Sequence, residues 1–150
     1  MLPPVLVVRN MDHNAAMGWR AWAAQHNQQT TVVVLHADPG LGHALRFALG
    51  VEGYRVRVHR RAQEYLAAPP PPKPAFLVID EALPGGGGLA VYREITMRGR
   101  ALPAIMMATA PKAALRQGAV LTGIAEIVEK PLLGTALFDA LKRLSLRQRM

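Results

Sequence analysis

Residues 76–89 read FLVIDEALPGGGGL: four apolar residues, a carboxylate at Asp80 and, after a short turn-forming stretch, four consecutive glycines. An apolar run of strand length without alternation fits a strand covered on both faces. AFLVID, residues 75–80, is accordingly predicted to be such a strand, with Asp80 at its carboxyl end. The glycines can make a turn on their own, so no charge is needed there. The carboxylate requires a separate reason.

The surrounding pattern is regular. From Thr31 onward, apolar runs of strand length alternate with stretches of helical period, which predicts a parallel sheet covered by helices on both faces. The strands are TVVVLH (31–36), YRVRVH (54–59), AFLVID (75–80), PAIMMA (103–108) and AEIVEK (125–130), with four helices between them and a fifth after the last. The first helix begins beyond Pro39, shows Leu41, Leu45 and Leu49 on one stripe, and ends near Gly50 and Gly53; the last shows Leu133, Leu137, Leu141 and Leu144. Strand two alternates Tyr54, Val56 and Val58 with Arg55, Arg57 and His59, which makes it an edge. The proline-rich run at 68–74 cannot continue a helix and reads as a stiff spacer.

A chain of 150 residues with 51% hydrophobic residues can bury one domain-sized core. The absence of cysteine excludes disulfide scaffolds and thiolate metal sites, and is consistent with a cytoplasmic location. The net charge of +8 would suit an acidic partner, but the basic residues are dispersed and are not interleaved with aromatics, so solvated faces are expected and not a nucleic-acid site. Residues 1–30 form an extension with the pattern of neither a signal peptide nor a membrane span, and no membrane partner is expected. Within it, Trp19 and Trp22 lie three apart on a short helix predicted at 14–25. The domain is placed at 31–146 and a basic tail at 147–150.

In an open parallel sheet the ligand crevice lies at the carboxyl ends of the strands. Asp38, Asp80, Ala108 with Thr109, and Lys130 all fall at such ends, so residues far apart in sequence should converge there. A carboxylate facing a lysine suits phosphoryl chemistry, with the carboxylate as nucleophile and the ammonium neutralising phosphate oxygens. The plainer readings are that Asp80 caps the helix starting near Gly88, or pairs with Lys130 as a salt bridge. A P-loop, a dinucleotide fingerprint, a nucleophile elbow and a His-Glu-x-x-His pair are all missing, and no enzyme is expected.

With these stretches in view, VVVLHADP (32–39), FLVIDEALPGGGGL (76–89) and TGIAEIVEKPL (122–132) resemble, in order and spacing, the receiver domain of bacterial response regulators, the CheY-like family, and its FixJ-like branch in particular. The resemblance covers about residues 31–146. It implies a flavodoxin-like α/β fold with strand order 2-1-3-4-5. It also implies that Asp80 is the phosphoacceptor, that Lys130 contacts the phosphoryl group, and that Ala82 offers its carbonyl to a magnesium ion. Pro131 would hold the lysine loop through a cis peptide bond. A histidine kinase or phosphotransfer protein and a downstream protein target are the implied partners, and a homodimer is a further candidate assembly.

The chain also departs from the family's pattern. Aligned through Asp38-Pro39, the adjacent acid pair that holds magnesium is replaced by His36 and Ala37, leaving Asp80, Ala82 and a displaced Asp38 as metal ligands. Ala108 occupies the family's Ser/Thr position, with the Thr109 hydroxyl one residue late and reachable only through a bulge. Ile127 stands at the aromatic switch position. Two readings follow: an atypical stand-alone receiver that works through protein contacts with phosphorylation at Asp80 impaired, or a working single-domain response regulator phosphorylated on Asp80. A third is a basic nucleic-acid binder on the same scaffold. A histidine beside Asp80 could also form a charge pair with it.

Overall fold

The structure, a computed structural model, describes residues 27, 29–130, 132 and 135–148. The expected helix at 14–25, the tryptophans, Pro131 and Leu133 lie outside them. Five strands, β1 (Thr31–Leu35), β2 (Arg55–His59), β3 (Ala75–Asp80), β4 (Ala104–Thr109) and β5 (Glu126–Lys130), form one parallel sheet in the order 2-1-3-4-5. The connecting helices are α1 (Pro39–Val51), α2 (Ala62–Ala67), α3 (Gly88–Met97) and α4 (Ala113–Thr122), and α5 (Ala136–Gln148) follows β5. Strand boundaries differ from expectation by single residues, and α5 runs two residues into the expected basic tail.

The apolar strands are central and the alternating one is at the edge, because only a strand flanked on both sides and both faces can be apolar throughout. β1 and β3 are buried along their whole length, whereas Arg55 on β2 is exposed. Each pleat face has its own core. Val32, Val34, Phe76, Val78, Ile105, Met107 and Val128 pack against Leu45 and Leu49 of α1 and Leu137, Leu141 and Leu144 of α5. Val33, Leu35, Leu77, Ile79 and Met106 pack against α2, α3 and α4.

Two local features shape the loops around the sheet. Asp38 is the N-cap of α1: its Oδ1 accepts the Gly40 amide at 2.9 Å, and Pro39 follows in the first turn, where its missing N–H costs nothing. After α2 the proline-rich spacer leads to β3 through a cis Lys73–Pro74 bond.

Candidate functional site

Side chains alternate across a strand, so the residue two positions past a buried apolar one falls on the same face. His36 follows Val34, Asp80 follows Val78 and Lys130 follows Val128, and all three valines pack on the α1/α5 face. The β1–β3 register ends at Leu35↔Ile79, so its continuation sets His36 opposite Asp80. Lys130 reaches the same carboxylate from β5, across the end of β4.

The contacts follow that geometry. Lys130 Nζ lies 2.5 Å from Asp80 Oδ1, and His36 Nε2 lies 3.1 Å from Asp80 Oδ2. Asp80 and His36 are 4% and 5% exposed, the only buried carboxylate and imidazole among the described residues. His36 Nδ1 accepts the Asp38 amide at 3.0 Å, so a neutral ring carries its proton on Nε2, toward Asp80. That N–H is not aimed at the oxygen well enough to count as a hydrogen bond, so Nε2 is a buried donor without a partner beside the carboxylate. The Ala82 amide approaches Oδ1 at 3.4 Å. Asp80 therefore pairs with Lys130, and the capping alternative fails, because the N-cap of α3 is Gly87 with no side-chain cap.

The other expected site residues lie elsewhere. Asp38 is exposed and engaged in capping α1. Thr109 pairs in register with Lys130, and the ladder runs unbroken from Ile105↔Glu126, so no bulge moves it. Thr109 is exposed and its amide donates to Glu81 Oε1 at 3.1 Å, while Ala108 is fully buried with nothing to donate. Ile127 is half-buried against the α2–α4 core. Among the described residues, no three His, Asp or Glu side chains converge as a metal site would require.

Glu81 was not anticipated. Its carboxylate ties the loop after β3 to the end of β4, and the only signal in the sequence is a second acid directly after Asp80. Beside the crevice a cavity of about 210 Å³ is lined by His36, His43, Arg46, Arg60 and Glu64. The glycine loop is built for close approach: Gly85, Gly86 and Gly87 all have φ near +97°, and a Cβ on Gly88 would sit 2.7 Å from the Asp80 carbonyl oxygen.

Comparison with known proteins agrees with this architecture. The family model described as the response regulator receiver domain matches residues 25–142. The C4-dicarboxylate transport transcriptional regulatory protein DctD of Pseudomonas aeruginosa is 29% identical over 120 residues, covering 80% of this chain and 26% of that protein. The transcriptional regulatory protein FixJ of Rhizobium meliloti is 25% identical over 115 residues, covering 77% of this chain and 56% of its own length. The chain thus spans between about a quarter and a half of these curated relatives. The crystal structure of FixJ-N superposes with a TM-score of 0.67 at 24% identity, covering 76% of this chain and 91% of that one. Among the described residues no helix is long and apolar enough to cross a membrane.

Proposed function

Since the chain belongs to the response regulator receiver family, we propose that it serves two-component signalling as an atypical receiver: a protein-binding module that works without phosphorylation, its Asp80 held by basic groups of the same chain. One observation carries this reading. Both oxygens of Asp80 face basic groups of the same chain, Lys130 at 2.5 Å and His36 at 3.1 Å, and His36 stands where the family has a metal-binding acid.

A magnesium ion requires hard oxygen donors in an octahedral shell, and an imidazole and a methyl group at positions 36 and 37 do not supply them. This donor set does not fit the ion. Without it the charge developing on a transferring phosphoryl group is not neutralised, a loss of several kcal/mol in order of magnitude. The alanine at 108 and the exposed Thr109 remove the hydroxyl that would answer the phosphoryl group, and Ile127 has no hydroxyl or ring to report it.

Output then rests on a fixed surface. The face made by α4, β5 and α5 presents the exposed Val120 and Leu121, with Arg116 paired to Glu129 at 3.1 Å and Arg143 to Glu126 at 2.7 Å. The partners of this face are a histidine kinase or phosphotransfer protein and a downstream protein. Nucleic acid is not among the proposed partners, because the basic residues are dispersed and not interleaved with aromatics.

The test is incubation with acetyl phosphate and magnesium followed by intact mass measurement. No adduct is expected. A stoichiometric phosphoryl adduct that disappears in Asp80→Asn overturns the proposal in favour of a working response regulator.

A further inference from the structure

Helix α1 carries large apolar residues on its outward side as well as its inward one. Its inward stripe, Leu45 and Leu49, is buried in the core, yet its outward side carries Phe47 at 76% exposure and Val51 at 67%. Phe47 is the only aromatic among the large exposed apolar residues described. The whole helix has one full charge, Arg46, and no carboxylate. A surface helix ordinarily has a polar outer face, which the exposed Phe47 and Val51, one turn apart, interrupt here.

We propose that the chain's own N-terminal segment, residues 14–26, covers this face of α1. Where that segment joins the domain carries the argument. Asn27 donates its side-chain amide to the Glu52 carbonyl at 2.7 Å, and Glu52 is the C-cap of α1. The preceding segment therefore enters beside Val51. Phe47 lies five residues before Glu52, about 7.5 Å back along the helix axis. Trp22 lies five residues before Asn27, within about 7.5 Å of it if helical and about 17 Å if extended. Either span is long enough to cover the distance from Asn27 to Val51 and Phe47.

The segment's sequence, NAAMGWRAWAAQH, matches the face it would cover. Ala15, Trp19 and Trp22 recur at helical spacing and would form one apolar stripe running parallel to α1, with Trp22 nearest Val51 and Ala15 toward Ala44. Neither strip carries a carboxylate, so apolar burial and not charge pairing holds the contact.

Trp19 and Trp22 are the only tryptophans in the chain, so intrinsic emission reports on this segment alone. In the full-length protein, emission is expected to be blue-shifted relative to a free tryptophan amide and unchanged on serial dilution. The double variant Phe47→Lys with Val51→Lys should shift it to the free-amide position, with a several-fold rise in acrylamide quenching and unaltered far-UV circular dichroism. Emission at the free-amide position in the wild type, or blue-shifted emission that survives the double variant, overturns the proposal. So does a blue shift lost on dilution, which would assign the face to a second copy of the chain. If the double variant fails to fold, a nitroxide on Val51→Cys replaces it, since the chain has no other cysteine. The label should quench the tryptophans several-fold more than one on Gln117→Cys of α4, and equal quenching from the two sites contradicts the contact.

Discussion

Asp80 is 4% exposed, and an isolated charge so deeply placed would cost more than the fold can spare. Lys130 supplies the compensation while keeping 21% of its own side chain in contact with solvent. Removing one member should therefore cost more than removing both. Lys130→Met is expected to destabilise the protein by about 2 kcal/mol, below the 3–5 found for fully buried pairs. The double variant Asp80→Asn, Lys130→Met should recover part of that loss in urea unfolding; strictly additive losses would mean the two side chains are not coupled. At the alkaline end the tyrosines dominate. Tyr54 is pushed up from 10.0 to about 12, by burial first and by Glu52 second, and burial raises Tyr65 and Tyr92 as well. The folded state holds these protons more tightly than the unfolded chain, so their contribution is complete below pH 10 and is lost as pH rises toward 12. The urea midpoint should accordingly fall across that window, and a flat profile would show that the phenols are not shielded. Asp80 and Lys130 were legible in the sequence because each ends a strand. The approach of His36 follows once the β1–β3 register is known.

Helix α3 starts so close to the end of β3 that a Cβ on Gly88 would also meet the Met106 methyl at 2.9 Å and the Glu81 Cα at 3.1 Å. Gly88→Ala should push the helix away from Asp80 and cost about 2 kcal/mol, read as a lowered denaturation midpoint. A neutral result would mean that this loop yields without strain. The glycine run thus answers two geometric demands, a left-handed turn at 85–87 and a close approach at 88. The sequence announced the flexible loop but not which glycine lacks room. Helix α2 makes the opposite point. It has six residues, and its end is held by Arg100, whose guanidinium donates to the carbonyls of Tyr65, Leu66 and Ala68 and lies 4.9 Å over the Tyr65 ring. Nothing in the sequence near α2 signals a partner more than thirty residues away. Arg100→Ala is expected to cost about 2 kcal/mol. For a protein of this size that lowers Tm by roughly 4–8 °C. Lysine should not rescue it, because a single ammonium cannot span three carbonyls. A melting temperature unchanged in Arg100→Ala would remove the staple from the account.

At the scale of the molecule, the fold was written in strand periodicity: three strands apolar throughout, one alternating at an edge, and helical spacing between them. Such patterns specify which faces are buried, and a parallel sheet then leaves few topologies open. The crevice was legible in part, since charged residues at strand ends must meet. What periodicity cannot encode is whether a carboxylate so placed holds a metal or its own neighbours, because that depends on side chains within a few ångströms of Asp80. The central claim is that Lys130 and His36 occupy that carboxylate in place of a metal ion. Isothermal titration of magnesium into the wild type and into the double variant His36→Asp, Ala37→Asp tests it most directly. The account predicts no saturable heat for the wild type and measurable binding once the acid pair is restored; saturable wild-type binding that is lost in Asp80→Asn would contradict it.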